Sequence, residues 1–546
     1  MITLTAVSPL EKLWHDSIPA QLAERVSCFE NEIADVQLAV MNDGAPKEDC
    51  CLRIETDLSF QVRRVGYVPG DYTDMPDADD YVIAKGLHIF PDPLLPTNTA
   101  ALPLKGTSLN VFWLTVGTGA RMAAGEHVVR IVLTDKNGDL LGDTQVTVEV
   151  LKGQLPACDI PVTDWMHYDC ICNYYKIKPF GKRFWTLTES FLRTAAEHGI
   201  NTVYVPLFTP PLDTKPGGER TSVQLVDVVK NGNTYSFNFS RLGRFLKMAQ
   251  KCGMRYFEFS HLFTQWGAQF CPKIIAQTEN GVERIFGWDT RADGEAYCAF
   301  LECFLPSLGK FLRDGGYRDR SFIHISDEPD NYWLKDYTVR RNFIKRLLPD
   351  FTHIDALSEV EFLHRGLVDI PVAATNAAKP FMESGKPFWV YYCFPQCKDN
   401  LSNRMMNMPC ERTRVIGMQL YQSGASGFLH WGYNFYNTAL STRQVDPFFE
   451  TDAGGFFQSG DAFIVYPGEE GAYGSIRLES FRQGIQDYRA LKLLESCLGR
   501  EKTLALLKDF GVEGFTEYPH GAQGFLAVRR AINAAISNCL QSGERV

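Results

Sequence analysis

After Pro161 the sequence alternates short apolar runs with longer stretches of helical periodicity, and this alternation restricts the possible fold more than any other feature. Helical stretches such as FWTLTESFLRTAAEHGI and SRLGRFLKMAQKCGM lie between several of the apolar runs. Eight strand and helix units in succession predict a closed (β/α)8 barrel of the triosephosphate isomerase type. The eight predicted strands are Trp165–Cys170, Thr202–Phe208, Arg255–Ser260, Phe322–Ser326, Thr352–Leu357, Val372–Asn376, Phe388–Cys393 and Phe428–Asn434.

Residues 1–155 have a different pattern, in which short alternating runs are separated by polar turns. The runs DVQLAVMNDG, CLRIETDLSF, LNVFWLTVG, EHVVRIVLTDKNGD and TQVTVEV predict strands, and no amphipathic helix is predicted between Ala45 and Val150. The four residues from Asp135 to Gly138 are typical of a hairpin turn. This region is therefore predicted to be a β-sandwich.

The segment IRLESFRQGIQDYRALKLL near the carboxyl end carries apolar residues at helical intervals, and it predicts an amphipathic helix that opens a C-terminal helical tail. The spaced residues are Leu478, Phe481, Ile485, Tyr488 and Leu491. The predicted organisation is an α/β multidomain protein with three parts. These are a β-sandwich at 1–155, a catalytic barrel at 156–475, and a helical segment at 476–546 packed on the barrel.

The charge balance excludes several classes of function. The chain has 55 basic and 65 acidic residues, a net charge of −10, and it has no basic run, so neither nucleic acid nor an anionic membrane is a predicted partner. No apolar run approaches the roughly 18 residues that a membrane span needs. The first residues, MITLTAVSPLEKLWHDS, lack a charged n-region followed by an apolar stretch, so we expect no signal peptide and a cytoplasmic location.

The cysteine pattern and the absence of nucleotide-binding motifs further limit the classes of reaction that the sequence supports. The 15 cysteines are an odd number without a repeated CxxC pattern, which favours reduced thiols over a disulfide framework. No GxGxxG follows a predicted strand, and GxxxxGK[ST] and GxSxG are absent, so the sequence predicts no cofactor and disfavours a serine hydrolase. The sequence leaves open whether the protein forms a homo-oligomer.

Two adjacent carboxyl groups mark the end of the fourth predicted barrel strand, at Asp327 and Glu328 in HISDEPD. Active sites of such barrels lie at the carboxyl ends of the strands, and two carboxyls side by side raise each other's pKa. One acid and one base at neutral pH is the combination that cleavage of a glycosidic bond commonly needs. The alternative interpretation is that Asp327 caps the following helix and Glu328 is solvated. The spacing alone leaves both open.

Aromatic and histidine side chains gather near the same predicted strand ends. Aromatic rings there can stack on the apolar faces of sugars, although Trp389, early in its strand, favours the core. The aromatic candidates are Trp266, Trp288, Trp389, Tyr391, Tyr392, Trp431 and Tyr433. The polar candidates are His167, Asp169, His261, His324 and His430. None of them has a recognised metal-ligand spacing such as HExxH, so no metal is predicted.

These motifs together resemble glycoside hydrolase family 123, whose characterised activity is β-N-acetylgalactosaminidase. The resemblance covers nearly the whole chain, and it implies a β-sandwich followed by a catalytic (β/α) barrel, in agreement with the strand count. It rests on FPDPLLP at 90–96, HISDEPD at 324–330, FWVYYCFP at 388–395, GFLHWGYNFY at 427–436, DAFIVYPG at 461–468 and SIRLESFRQGIQDYRALKLL at 475–494.

The resemblance also implies a mechanism and a set of site residues. Glu328 would be the general acid/base, and Asp327 would orient the substrate's own 2-acetamido group, which attacks C1 and forms an oxazolinium-like intermediate with retention of configuration. The residues predicted to line the sugar site are Tyr391, Trp431 and Asn434, with His167, Asp169, His261 and Trp266 on the opposite side and Trp288, Tyr392 and His430 nearby.

Three functions follow in order of preference. The first is an exo-acting hydrolase of a β-linked N-acetylhexosamine, in the first place N-acetylgalactosamine, with a glycan or glycoside as its partner. The second is a glycosidase of the same fold on another sugar, with Asp327 or another carboxylate as nucleophile. The third is a catalytically silent carbohydrate-binding protein, which the intact pair of acids disfavours.

Overall fold

A computed structural model of the chain describes residues 1–71, 78–119, 121–265 and 267–542. Contacts between Cα atoms divide it into two compact units. The first unit comprises residues 1–158, 397–423 and 473–546, and the second comprises 159–396 and 424–472.

Two five-stranded sheets form the amino-terminal part of the first unit, in the orders β1-β3-β8-β5-β6 and β2-β10-β9-β4-β7. One apolar core cluster contains side chains of both sheets, for example Leu38 of one and Ile131 of the other, so the sheets form the predicted sandwich. The strands are β1 (Ile2–Val7), β2 (Arg25–Phe29), β3 (Ala34–Asn42), β4 (Lys47–Glu55), β5 (Phe60–Gly70), β6 (His88–Pro96), β7 (Leu102–Leu104), β8 (Ser108–Val116), β9 (Gly125–Thr134) and β10 (Leu140–Leu151).

The predicted turn between β9 and β10 is confirmed. The Gly138 N–H donates to the Asp135 carbonyl at 3.1 Å, and an Asp135 carboxylate oxygen accepts from the Asn137 N–H at 2.8 Å. The run CLRIETDLSF differs from the prediction, because β4 ends at Glu55 and β5 begins at Phe60. Residues 56–59 turn the chain from one sheet to the other, and the alternating pattern continues across the turn.

The second unit contains a closed barrel of eight parallel strands in the order β11-β12-β15-β18-β19-β20-β21-β22, so the predicted (β/α)8 fold is confirmed. The strands from Val162 onward, which include those of the barrel, are β11 (Val162–Asp164), β12 (Thr202–Val205), β13 (Asp227–Asn231), β14 (Thr234–Asn238), β15 (Tyr256–Phe259), β16 (Ile274–Thr278), β17 (Gly281–Phe286), β18 (Ser321–Ile323), β19 (Thr352–Ala356), β20 (Ile370–Ala374), β21 (Trp389–Tyr391), β22 (Phe428–His430), β23 (Tyr466–Pro467) and β24 (Ala472–Tyr473). Strands β13, β14, β16 and β17 form a separate sheet in loops of the barrel.

Helices follow most of the barrel strands, as the alternation predicts. They are α1 (Tyr168–Tyr174), α2 (Lys182–Glu197), α3 (Ser240–Lys251), α4 (Glu295–Asp314), α5 (Leu334–Leu347), α6 (Glu361–His364) and α7 (Lys379–Glu383). The predicted first strand, Trp165–Cys170, is wrong. Strand β11 lies earlier and pairs with β12 and β22, whereas α1 begins at Tyr168. Residues 161–172 are all buried, so burial provides no period that would distinguish strand from helix.

The rest of the first unit is helical: α8 (Cys410–Arg414), α9 (Ile416–Ser423), α10 (Ile476–Leu498), α11 (Arg500–Asp509) and α12 (Ala522–Ser542). Helix α10 is the predicted helix, and the hydroxyl of Ser475 caps it by accepting from the Leu478 N–H at 3.1 Å. Its backbone touches that of α9 at two glycines, because a Cβ on Gly417 would lie 1.7 Å from the Gly484 carbonyl oxygen. No helix in the described residues is both long and apolar enough to cross a membrane.

Residues 473–546 belong to the same compact unit as the sandwich, and their packing on the barrel stays a prediction. Buried ion pairs explain this, because Arg477 donates to Asp92 at 2.8 Å and Arg482 donates to Asp35 at 2.6 Å. The predicted amphipathic face is also absent from the first half of α10, where charged side chains are buried together with apolar ones.

Candidate active site

The carboxyl pair follows β18 after three residues, 324–326, at the carboxyl end of the barrel strands. Asp327 is half-buried and Glu328 is exposed. Glu328 has a φ of 47°, in the left-handed region that non-glycine residues seldom adopt, and its N–H donates to the Ala356 carbonyl at the end of β19, 3.0 Å away. A strained backbone held in place by a neighbouring strand is typical of functional positions.

The helix-cap interpretation of Asp327 is not what the structure shows. Asp330 performs that task, because its Oδ1 accepts from the N–H groups of Tyr332 at 2.9 Å and Trp333 at 3.2 Å just before α5. Asp327 lies ahead of this turn, so its carboxyl is not engaged as the cap.

Tyr391, the last residue of β21, contacts the pair. Its hydroxyl donates to Glu328 Oε1 at 3.1 Å, and its ring is buried in the barrel interior. Burial, and next the charge of Glu328, raise the pKa of Tyr391 well above its usual value. The hydroxyl therefore stays protonated and acts as a donor to Glu328.

The pair binds a proton more tightly than an isolated carboxyl. Loss of solvation, and next the charge of Glu328, raise the pKa of the Asp327 carboxyl well above its usual range. The charge of His324 opposes this shift, whereas Asp355 and Glu258 add to it. Both causes favour a state in which the pair carries one proton over a state with two charged carboxylates.

A buried histidine lies between two carboxylates immediately before the pair in the chain. His324 Nε2 donates to Glu258 Oε1 at 2.6 Å and Nδ1 donates to Asp355 Oδ1 at 3.1 Å, from the neighbouring strands β15 and β19. Trp165 and Tyr337 donate to the same two carboxylates at 2.7 and 2.6 Å. Burial alone would lower the pKa of His324, but the two hydrogen bonds outweigh it and raise the pKa to about 9. His324 is therefore an imidazolium at neutral pH.

His261 stacks on this imidazolium, with ring centroids 4.1 Å apart. Burial, and next the charge of His324, lower the pKa of His261 well below its usual value, so it is neutral. Its Nδ1 pairs with the Tyr204 hydroxyl at 3.0 Å, and no described residue reaches its Nε2. His261 is only 1% exposed, so it lies under the mouth of the barrel instead of at the predicted wall of the sugar site.

The ligand atoms of His261, His324 and Asp355 lie within 4.8 Å of one another, a spacing that could hold a metal ion. Both nitrogens of His324 already face carboxylates and carry protons, so neither offers a lone pair. The donor set therefore fits an ion-paired imidazolium better than it fits a metal centre.

A second cluster contains the predicted His167 and Asp169. Arg220 donates to both oxygens of Asp169 at 2.7 Å and to His167 Nδ1 at 3.1 Å, and His167 Nε2 then donates to the Trp431 carbonyl at 2.8 Å. Burial, and next the charge of Arg220, lower the pKa of His167 to about 3, so it is neutral. All three charged or polar side chains are buried, which supports a framework role for this cluster.

Asn434 also serves the framework. Its side-chain oxygen accepts from the His167 N–H at 2.8 Å, its amide donates to the His167 carbonyl at 3.1 Å, and it is fully buried. These bonds position the chain between β11 and α1, and they leave the predicted direct contact with sugar without geometric support.

Three other predicted residues lie around Asp461. The Trp431 indole N–H donates to Asp461 Oδ2 at 3.0 Å and the ring is half-buried. His430 Nε2 lies 3.5 Å from Asp461 Oδ1, while its Nδ1 accepts from the Gly432 N–H at 3.0 Å. Tyr392 is buried against His430, with centroids 5.5 Å apart. Trp431 is therefore the member of this group that has exposed ring surface.

Two predicted tryptophans have other positions. Trp266 lies outside the described residues. Trp288 follows β17 of the separate four-stranded sheet and is 8% exposed, so it does not lie at the end of a barrel strand.

The sequence analysis did not select Arg220, Asp461 or Asp213 for the site. Asp213 is half-buried after β12, its Oδ2 accepts from the Leu440 N–H at 3.0 Å, and burial raises its pKa to about 6. Asp213 and Arg220 lie in a loop without a recognisable motif, and Asp461 opens the run DAFIVYPG, in which no local pattern marks it as a site residue.

An eight-stranded parallel barrel with adjacent carboxyls at its strand ends, one of them bound by a tyrosine hydroxyl, is consistent with a hydrolase of glycosidic bonds. The sequence signature "glycoside hydrolase 123, catalytic domain" matches residues 165–494. The chain therefore belongs to glycoside hydrolase family 123.

Among solved structures, the fold is similar to that of a family 123 glycoside hydrolase from Clostridium perfringens that was analysed for glycolipid glycan hydrolysis. The TM-score is 0.73 at 15% identity, over 99% of this chain and 98% of that one. A GH2 β-galacturonidase from Eisenbergiella tayi has a TM-score of 0.33 at 10% identity, over 89% of this chain and 72% of that one. No curated protein matches the sequence.

Proposed function

We propose that the protein is an exo-acting, retaining hydrolase that removes a β-linked N-acetylhexosamine, in the first place N-acetylgalactosamine, through an oxazolinium intermediate. The observation that carries the proposal is the adjacency of Asp327 and Glu328 after β18, with the Tyr391 hydroxyl 3.1 Å from Glu328. Two carboxyls on one short loop suit an acid and its helper on the same side of the scissile bond.

Each residue has one task in this mechanism. Glu328 gives its proton to the leaving oxygen while the acetamido oxygen of the substrate attacks C1, so that one bond breaks as the other forms. Asp327 accepts the acetamido N–H and stabilises the positive charge of the oxazolinium ring. Glu328 then takes a proton from the water that attacks C1 and reopens the ring, which leaves the configuration unchanged.

The surrounding carboxylates support a nucleophile that comes from the substrate. Glu258 and Asp355 hold the His324 imidazolium, and these three side chains are fully buried. Asp169 is held by both arms of Arg220. A carboxylate in such a pair cannot leave its partner to attack a sugar without a large electrostatic cost.

Asp213 favours a second candidate, a glycosidase with a protein nucleophile on a different sugar. It is half-buried, and burial raises its pKa to about 6. A trapped glycosyl group on Asp213 or on Asp327 would establish this candidate and contradict the first.

The natural substrate that we propose is a glycan with a terminal β-linked N-acetylgalactosamine, and the chain of a glycolipid is one such glycan. The work on the Clostridium perfringens relative concerns glycolipid glycans, and the carry-over rests on family membership alone.

The test compares aryl β-glycosides in matched pairs, with a 2-acetamido or a 2-hydroxyl group on the galacto and on the gluco ring. We expect turnover of the 2-acetamido members only, faster on the galacto ring, and inhibition by the thiazoline analogue of the intermediate. NMR of the first product should show the β anomer. Asp327→Asn should lower turnover by about 100-fold, because its amide provides a dipole but no charge.

Three results would reject the proposal. Equal turnover of the 2-hydroxyl and 2-acetamido substrates removes the acetamido group from the mechanism. An α anomer as first product excludes retention. Binding of the thiazoline without turnover of any substrate would make the protein a silent carbohydrate-binding protein.

A further inference from the structure

Four aromatic side chains form a continuous series of ring contacts from the catalytic barrel to solvent. Trp431 lies 5.2 Å from Phe457, Phe457 lies 5.0 Å from Phe394, and Phe456 lies 5.3 Å from Phe457 and 6.2 Å from Phe394. Phe457 is 6% exposed and lies under the other rings, whereas Trp431 and Phe394 are half-buried and Phe456 is 63% exposed. We call Trp431, Phe457, Phe394 and Phe456 the aromatic row.

The inner end of the row lies next to the carboxyl pair. Trp431 and Cys393 pack against the interior cluster that contains Tyr391, whose hydroxyl donates to Glu328. Burial raises the pKa of the Cys393 thiol well above its usual value, and the charges of Asp461, Glu328 and Asp327 add to the shift. Phe394 directly follows Cys393, so this part of the row begins beside a residue on which the charges of the pair act.

The outer end of the aromatic row is exposed but is held in one conformation by hydrogen bonds. The N–H groups of Phe456 and Phe457 both donate to the Asp452 carbonyl, at 3.1 and 3.0 Å. The base of the segment is closed by the Thr451 hydroxyl on the Ser459 hydroxyl at 3.0 Å. Phe456 is thus presented to solvent by an ordered turn, and a pre-organised ring loses little entropy when a ligand stacks on it.

Phenylalanine at such a position selects for shape instead of polarity. Its ring has no donor or acceptor, so it recognises flat apolar faces, and the C–H face of a pyranose is one of them. An exo-acting enzyme buries the sugar that it removes and directs the remaining chain outward. The exposed ring of Phe456 provides an apolar surface for that remaining chain.

We propose that the aromatic row is the leaving-group site, in which the first pyranose beyond the cleaved bond stacks on Phe394 and the second stacks on Phe456. This inference rests on the proposed function, because it takes the cleaved sugar to lie beside Glu328 and Tyr391. It makes a chain with at least two sugars beyond the cleaved residue the preferred substrate.

A phospholipid is a less favourable ligand than a sugar for the exposed ring of Phe456. The segment before Phe456 carries acidic side chains at Asp446, Glu450 and Asp452, and Arg443 is paired with Glu450 in a bidentate contact. Acidic surroundings repel anionic headgroups, whereas a neutral sugar is indifferent to them.

The experiment compares three β-N-acetylgalactosaminides whose leaving groups are methanol, methyl β-galactoside and methyl β-lactoside. We expect kcat/KM of the wild type to rise with each added pyranose. In Phe456→Ala, kcat/KM on the lactoside should fall by about 3- to 10-fold, with no change on the methyl glycoside or in thiazoline inhibition. Phe456→Tyr keeps the ring face and should retain the wild-type value.

Phe449→Ala is the matched control, because Phe449 is 77% exposed and has no ring contact with the described members of the row. It should behave as the wild type. An equal loss on all three substrates in Phe456→Ala, or no loss on any, would overturn the inference.

Failure of the proposed function is distinguishable from failure of the row. If the wild type cleaves none of the three glycosides, calorimetric titration with methyl β-lactoside decides: weaker binding in Phe456→Ala than in Phe449→Ala supports the row, and equal or absent binding overturns it. Sedimentation of the wild type, but not Phe456→Ala, with phosphatidylcholine vesicles would overturn it in favour of a membrane surface.

Discussion

Two carboxylates of the sandwich unit and the carboxyl pair of the barrel unit have opposite surroundings. In the sandwich unit Asp35 pairs with Arg482, and Asp92 pairs with Arg477. In the barrel unit the charged groups that act on Asp327 are three carboxylates and a single imidazolium, and its pKa is raised. Asp35 and Asp92 are neutralised by guanidinium groups, whereas the carboxyl pair Asp327 and Glu328 lies in an excess of negative charge, which favours one proton on the pair.

The largest effect that we expect is on the acid itself. Glu328→Gln should lower kcat on substrates with alkoxide leaving groups by roughly 10²- to 10⁴-fold, because the amide cannot protonate the departing oxygen. The loss should shrink for a dinitrophenyl leaving group, which departs without a proton. Wild-type rates on an alkyl glycoside would show that Glu328 is not the acid and would remove the contrast between the units.

Two variants, Arg529→Met and His324→Gln, test the contrast between paired carboxylates and the carboxyl pair through their effects on the free energy of unfolding. Arg529→Met leaves buried Glu32 without the guanidinium that contacts it at 2.7 Å, while Asp487 keeps Arg414 at 2.7 Å, and the variant should reduce the free energy of unfolding by about 3–5 kcal/mol. Its kcat/KM per folded molecule should not change. His324→Gln should reduce stability by a similar amount and also lower kcat/KM.

The control is His353→Gln, a histidine on β19 that burial keeps neutral by lowering its pKa to about 4. It removes no ion pair, so urea denaturation should show a smaller loss than for the other two. If His324→Gln changed stability alone, the imidazolium would be structural, and the contrast would be confined to Asp327 and Glu328.

The pH dependence of stability sharpens the role of His324. Its pKa is about 9 in the folded chain and about 6.5 unfolded. A raised pKa means that this contribution to stability is complete below about pH 6.5 and is lost as the pH rises through 9. Denaturation curves between pH 6 and 10 should show this fall in the wild type and a flatter profile in His324→Gln. The same fall in both would assign it to another group.

The smallest effect is expected at Tyr391. Tyr391→Phe removes one hydrogen bond to Glu328 and should lower kcat/KM by about 10-fold, with little change in stability. Tyr433→Phe deletes a hydroxyl that donates to the Phe191 carbonyl of α2, 3.0 Å away, and provides the matched variant with normal kinetics. Equal kinetics in both variants would separate Tyr391 from the acid.

Local pattern was sufficient for much of the architecture. Seven of the eight barrel strands overlap predicted ones, and the turn at Asp135–Gly138 and helix α10 lie where the sequence predicts them. Each depends on neighbours in sequence, through side-chain period or turn chemistry, and on little else. The motif HISDEPD located Asp327 and Glu328 for the same reason, since a buried strand followed by two acids is a local signal.

Tertiary structure alone decided which polar groups meet. Nothing in the sequence indicates that Arg220 holds Asp169, that Asn434 holds the backbone of His167, or that α10 belongs with the sandwich. These outcomes depend on pairing between segments that are tens or hundreds of residues apart. A carboxylate becomes a structural or a reactive group according to which charge the fold brings next to it. The linear sequence does not show how close two distant segments come in the folded chain.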